Sequence, residues 1–121
     1  MSNSSEELAI KELIEVSRSM FYRGYSFGTA GNVSVRVDGT VFATPTGSSL
    51  GNLDERSIAR CDLNGNVSGG SKPTKELPFH LAVYHARPQA NAVVHLHSTY
   101  ATAVSCLAEL NLEDALPVLT P

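Results

Sequence analysis

VSVRVDGTVFAT, Val33 to Thr44, decides the fold. Two β-branched, alternating runs, VSVRV and TVFAT, flank Asp38-Gly39, the dipeptide that most strongly specifies a two-residue hairpin. The pairing predicted here is therefore antiparallel. A parallel pair would need a crossover of a dozen residues or more between its strands. Upstream, Ser4 and Glu7 match a capping box, and Ile10, Leu13, Ile14, Met20 and Phe21 recur at helical spacing as far as Gly24. Downstream, TPTGSSLGNLDER reads as a turn-rich loop with a short helical turn near Asp54, and IARCDL, Ile58 to Leu63, as a third strand. NGNVSGGSKPT reads as a loose loop.

Pro78 suits only the first turn of a helix, so a second helix is expected from near Leu77 to just before Arg87-Pro88. Glu76 then stands at its entrance. ANAVVHLH, Ala90 to His97, is expected as a strand and TYATAVSCLAEL, Thr99 to Leu110, as a third helix. LPVLTP, Leu116 to Pro121, reads as the start of a further element. Strands and helices mix without a strict βαβ rhythm. The expected class is α/β with a largely antiparallel sheet flanked by helices, not a doubly wound nucleotide fold.

The chain has 121 residues, the size of one domain with a real core. Its 42% hydrophobic and 17% charged residues place it among soluble globular chains. A net charge of −3, with nine scattered Lys and Arg, offers no nucleic-acid footprint. The start lacks the basic and apolar regions of a signal peptide, and no apolar run nears the roughly 18 residues of a membrane span. Cys61 and Cys106 lack CxxC spacing and are expected as reduced core thiols of a cytoplasmic protein.

Four short motifs carry chemistry. His95 and His97 sit at i and i+2, so on a strand both imidazoles project from one face and can reach one metal ion. The plainer alternative is two histidines hydrogen-bonded beside the core. Thr44-Pro45-Thr46-Gly47-Ser48-Ser49 and Gly28-Thr29-Ala30-Gly31-Asn32 bring hydroxyls, amides and glycines together as anion sites do, or form ordinary polar turns. Neither is a dinucleotide or Walker motif. Lys72-Pro73-Thr74-Lys75-Glu76 puts a carboxylate beside an ammonium at a helix entrance, for proton transfer and anion binding or merely as solvated charge. His80 and His85, five apart, point to different helical faces and are read as structural.

The order GTAGN, TPTG, PTKE and HLH resembles the class II aldolase/adducin family. That resemblance implies a three-layer α/β/α sandwich, Zn2+ as cofactor and a sugar phosphate as substrate, usually in a C4 homotetramer. It implies that Gly31, Asn32, Thr46 and Gly47 hold substrate phosphate, with Thr74 and Lys75 contributing. Glu76 falls on the general acid/base, which can also occupy the resting zinc, and His95 and His97 fall on zinc ligands. The family's third zinc histidine lies well downstream, and nothing here fills its place. The expectation is one family domain, residues 1–121, cut short before its last strands and helices.

Aldolases of the family typically carry Ser-Ser before the acid, and the pentulose-phosphate epimerases Ser-Ser-Asp. Thr74-Lys75-Glu76 instead looks like the 3-oxo-tetronate 4-phosphate decarboxylases of four-carbon acid sugar catabolism. An aldolase, an epimerase and a non-catalytic family remnant or interaction module are the alternatives.

Overall fold

A computed structural model describes residues 2–116. The chain runs α1 (Ser2–Tyr22), β1 (Asn32–Val37), β2 (Thr40–Ala43), β3 (Ala59–Asp62), β4 (Val67–Gly69), α2 (Leu77–Ala86), β5 (Ala92–His95) and α3 (Thr99–Ser105). The five strands form one sheet in the order β4-β3-β2-β1-β5, every pair antiparallel. The hairpin closes as read, with Val37 opposite Thr40 and Asp38 in the left-handed region at φ 52. Asp tolerates that conformation better than most residues with a Cβ.

Strand alternation sorts the side chains into two cores. Val33 and Phe42 meet Leu13 and Ile14 of α1 on one face. Val41, Ala43, Cys61 and Val93 meet Leu77 and Tyr84 of α2 on the other. Each such fully buried large apolar side chain stabilises the fold by about 1.5–3 kcal/mol. Helices on both faces make the predicted three-layer α/β/α sandwich. Arg36 fastens the end of α2 to β1: its guanidinium lies 4.9 Å over the Tyr84 ring and donates to the carbonyls of Tyr84, Pro88 and Ala90.

Several boundaries differ from the sequence reading. The first helix begins at Ser2, so Ser4 lies inside its first turn and the capping-box reading fails. Ser2, Asn3, Ser4 and Ser5 can all cap, which leaves that boundary degenerate in sequence. The stretch read as a loose loop contains β4, paired with β3 after a turn in which Asp62 Oδ1 accepts the amides of Asn64 and Asn66. The fifth strand stops at His95, two residues short of His97, and the third helix stops at Ser105. None of α3's residues is buried, and a seven-residue helix without packing has little to hold further turns. Cys61 is a buried thiol as expected, but Cys106 is exposed on this unpacked segment. Among the described residues no helix is long and apolar enough to cross a membrane. The LPVLTP element, beyond Leu116, lies outside the described residues.

Candidate functional site

Two pairings assemble the site. Asn32 opens β1 and stands opposite His95, the last residue of β5, so the GTAGN and HLH motifs meet at one end of the sheet. The amide of Thr46 donates to the carbonyl of Lys72, and that of Thr74 to the carbonyl of Thr44, at 2.9 Å each. Those bonds, with a bridge between Pro45 and Pro73, sew TPTG to PTKE. Thr29, Ala30, Gly31, Asn32, Thr46, Gly47, Thr74, Lys75, Glu76 and His97 thus line one pocket of about 290 Å³. Every sequence-predicted site residue except His95 lines it, and His95 is joined to it through His97 and Asn32.

Gly31 has φ 81 and lies against its neighbours: a Cβ there would meet Leu50 Cδ1 and Ser26 Oγ at 3.1 Å and the His95 carbonyl at 3.3 Å. A side chain at that position would push into the site's floor. Glu76 takes the N-cap position of α2 with Pro78 just inside, as read, and its amide donates to Thr74 Oγ1 at 3.2 Å. Thr74 is buried, whereas Lys75 and Glu76 are exposed into the pocket mouth.

His95 and His97 come together although only His95 is in the strand; their ring centroids are 5.1 Å apart. Phe79 of α2 packs on His95 at 5.2 Å. Two imidazoles at this spacing suit two of zinc's usual ligand positions. Glu76 does not close on them: among the described residues no three His, Cys, Asp or Glu groups gather to hold a metal. The pair fits zinc as a half-site.

His85 is structural as expected, its Nε2 donating to the Leu63 carbonyl at 2.8 Å. His80 is wholly buried, yet it also belongs to the site. Its Nε2 lies 2.5 Å from Asn32 Oδ1 and its Nδ1 2.6 Å from Ser34 Oγ, while Asn32 Oδ1 also lies 3.2 Å from His95 Nδ1. One signal in the sequence pointed to it. His80 follows Glu76 by one helical turn, which puts it on the face that Glu76 leads.

Burial, helped by neighbouring His95 and opposed by Glu76, holds the His80 pKa down to about 4. The sign follows directly. Between about pH 6.5 and 4 the unfolded chain binds this proton and the folded chain does not, so stability falls as pH falls through that window. The loss from this group is expected to total up to about 3 kcal/mol. Urea midpoints at pH 7 and pH 4.5 check it. His80→Gln, which cannot titrate, should flatten the slope; an equally steep slope in that variant refutes the assignment.

The class II aldolase and adducin N-terminal domain family matches residues 11–120. A 3-oxo-tetronate 4-phosphate decarboxylase from Pectobacterium atrosepticum is 49% identical over 121 residues, covering 99% of this chain and 56% of the relative. An L-fuculose phosphate aldolase from Methanococcus maripaludis is 44% identical over 112 residues, covering 93% of this chain and 59% of the relative. The crystal structure of YgbL from Escherichia coli, whose reaction is described only as aldolase, epimerase or decarboxylase, superposes with a TM-score of 0.88 at 43% identity. It covers 93% of this chain and 55% of that one. The chain thus spans little more than half the length of the relatives it matches.

Proposed function

The chain belongs to the class II aldolase and adducin family, and on that footing we propose that its protein is a zinc-dependent carboxy-lyase. Its reaction is the conversion of 3-oxo-tetronate 4-phosphate to dihydroxyacetone phosphate and CO2. The observation that carries this reading is the single pocket shared by the two anion-holding loops, Lys75, Glu76 and His97. The decarboxylase among the relatives supports the choice of substrate.

In this reading Gly31, Asn32, Thr46 and Gly47 hold the phosphate, with the buried Thr74 hydroxyl fixing the loop that carries Glu76. His95 and His97 would hold zinc, with the exposed Glu76 carboxylate as a further ligand in the resting enzyme. A bound zinc supplies Lewis acidity against the negative charge that develops on the substrate. The substrate's C–C bond to its carboxylate breaks, CO2 leaves, and the electron pair stays behind as an enediolate. Glu76 then delivers a proton to that carbon and is reprotonated by water. Incubating the protein with 3-oxo-tetronate 4-phosphate should yield dihydroxyacetone phosphate and CO2 in equal amounts.

Lys75 is assigned to the substrate carboxylate, the group an aldolase substrate lacks. One charge-assisted bond contributes about 1.5–3 kcal/mol, so Lys75→Ala should lower kcat/KM by roughly 10–100-fold. An unchanged kcat/KM sinks the assignment.

The second reading is an aldolase or epimerase of another sugar phosphate, favoured by the L-fuculose phosphate aldolases among the relatives. Dihydroxyacetone phosphate formed without CO2 would select the aldolase. A non-catalytic protein is the third reading, and absence of zinc from the purified protein would favour it. We also propose that residues 1–121 act as one family domain and that the protein works as a homotetramer. In line with an assembly, Tyr100, Leu107, Leu112 and Leu116 are exposed.

A further inference from the structure

We propose that Ser34 and His80, acting through Asn32, lock His95 in its Nδ1–H tautomer, so that the Nε2 lone pair is the one offered to a metal. The inference deepens the reading of His95 as a zinc ligand and rests on it for its purpose, though not for its geometry.

Four hydrogen bonds in series carry it. The phenol of Tyr84 lies 2.7 Å from Ser34 Oγ, Ser34 Oγ 2.6 Å from His80 Nδ1, His80 Nε2 2.5 Å from Asn32 Oδ1, and Asn32 Oδ1 3.2 Å from His95 Nδ1. Tyr84, Ser34, His80 and Asn32 are all buried. The direction of the chain is fixed at both ends. The carbonyl oxygen of Asn32 can only accept, so both imidazoles must donate to it. His80, kept neutral by burial, has a single ring proton. With that proton on Nε2, its Nδ1 must accept from Ser34, and Ser34 must in turn accept from Tyr84. Reversing the chain, with the Asn32 amide turned over, would leave one buried hydroxyl proton, that of Tyr84 or of Ser34, without an acceptor in this chain. A stranded buried donor costs about 1–3 kcal/mol. Only the forward direction uses every hydroxyl proton of the chain and the ring protons that face Asn32.

The consequence falls on His95. Donating from Nδ1, it keeps the lone pair on Nε2, the opposite side of the ring from Asn32. An imidazole free in water prefers the other tautomer, in which Nε2 carries the proton and cannot ligate. The register that sets Asn32 opposite His95 is what lets α2 reach the metal position through the sheet. The Asn32 amide NH2 then points away from both rings, which leaves it for the pocket that Asn32 lines. Ser34 and His80 are positioning residues: neither lines that pocket.

Two measurements test this. In the metal-free protein at pH 7.5, nitrogen shifts read from the carbon-bound ring protons should show His95 as the Nδ1–H form and His80 as the Nε2–H form. His95 with its proton on Nε2 overturns the proposal. The second is zinc affinity, by competition with a chromophoric chelator. Ser34→Ala and His80→Leu should each weaken binding roughly 10–100-fold. His80→Gln, whose amide can still donate to Asn32 Oδ1, should recover most of the loss. Equal losses in His80→Gln and His80→Leu also overturn it. A variant that fails to fold leaves the tautomer measurement on the unaltered protein standing. If the tautomers are as stated and zinc does not bind, the relay holds and the zinc reading fails.

Discussion

Glu76→Gln is expected to cut dihydroxyacetone phosphate formation by roughly 10²–10⁴-fold while KM moves only a few-fold. Gln has nearly the shape of Glu, keeps the same backbone, and preserves the amide bond to Thr74 Oγ1 that seats position 76 at the helix entrance. What it loses is a proton to give. The phosphate-holding loops are untouched, because they are fixed by their own cross-links between Thr46 and Lys72 and between Thr74 and Thr44. Binding should therefore survive while turnover does not, the pattern of an interaction made only in the transition state. Following CO2 and dihydroxyacetone phosphate separately sharpens the test. CO2 release does not itself need the Glu76 proton, so a first turnover that releases CO2 faster than the phosphate product forms is the signature of lost protonation. A variant with full kcat would remove Glu76 from the reaction and move the acid elsewhere in the pocket.

The sequence disclosed the parts of this site whose geometry is local. Asp38-Gly39 sets the hairpin through turn chemistry alone, and Pro78 sets the start of α2 through a missing amide, which in turn puts Glu76 at its entrance. The shared pocket of TPTG and PTKE was reached only through resemblance, because the bonds that join them span 26 and 30 residues. Nothing in either stretch alone announces the other. His80 was legible only as a structural histidine on a different face from His85. Its bonds to Asn32 and Ser34 were not, since they depend on which sheet face β1 turns toward α2. β4 escaped notice because three small or exposed residues, Val67, Ser68 and Gly69, carry no apolar alternation; their pairing comes from the neighbouring strand and from Asp62 closing the turn.

The same stretch hides the site of the largest stability effect. Gly70→Ala is expected to destabilise the fold by about 4 kcal/mol or more, lowering Tm by roughly 15 °C or leaving little folded protein. Two costs add. At φ 73 a residue with a Cβ is strained by roughly 1–2 kcal/mol. The new methyl would also press into the backbone where it enters β3, with Ile58 C at 2.7 Å, Ala59 Cα at 2.9 Å and the Ile58 carbonyl oxygen closer still. A strand backbone cannot yield as a flexible side chain does. Ala59 is wholly buried and pairs with Ala43, one residue before the Thr44 that anchors PTKE, so displacement there would travel to the site. Gly24 supplies the control. It has φ 82 but nothing within 4 Å of an added Cβ, so Gly24→Ala should cost only the conformational part, roughly 1–2 kcal/mol. Thermal melts of the two variants separate close packing from backbone strain. Equal losses in both would mean that the contact with β3 contributes nothing and that Gly70 is there for its φ alone.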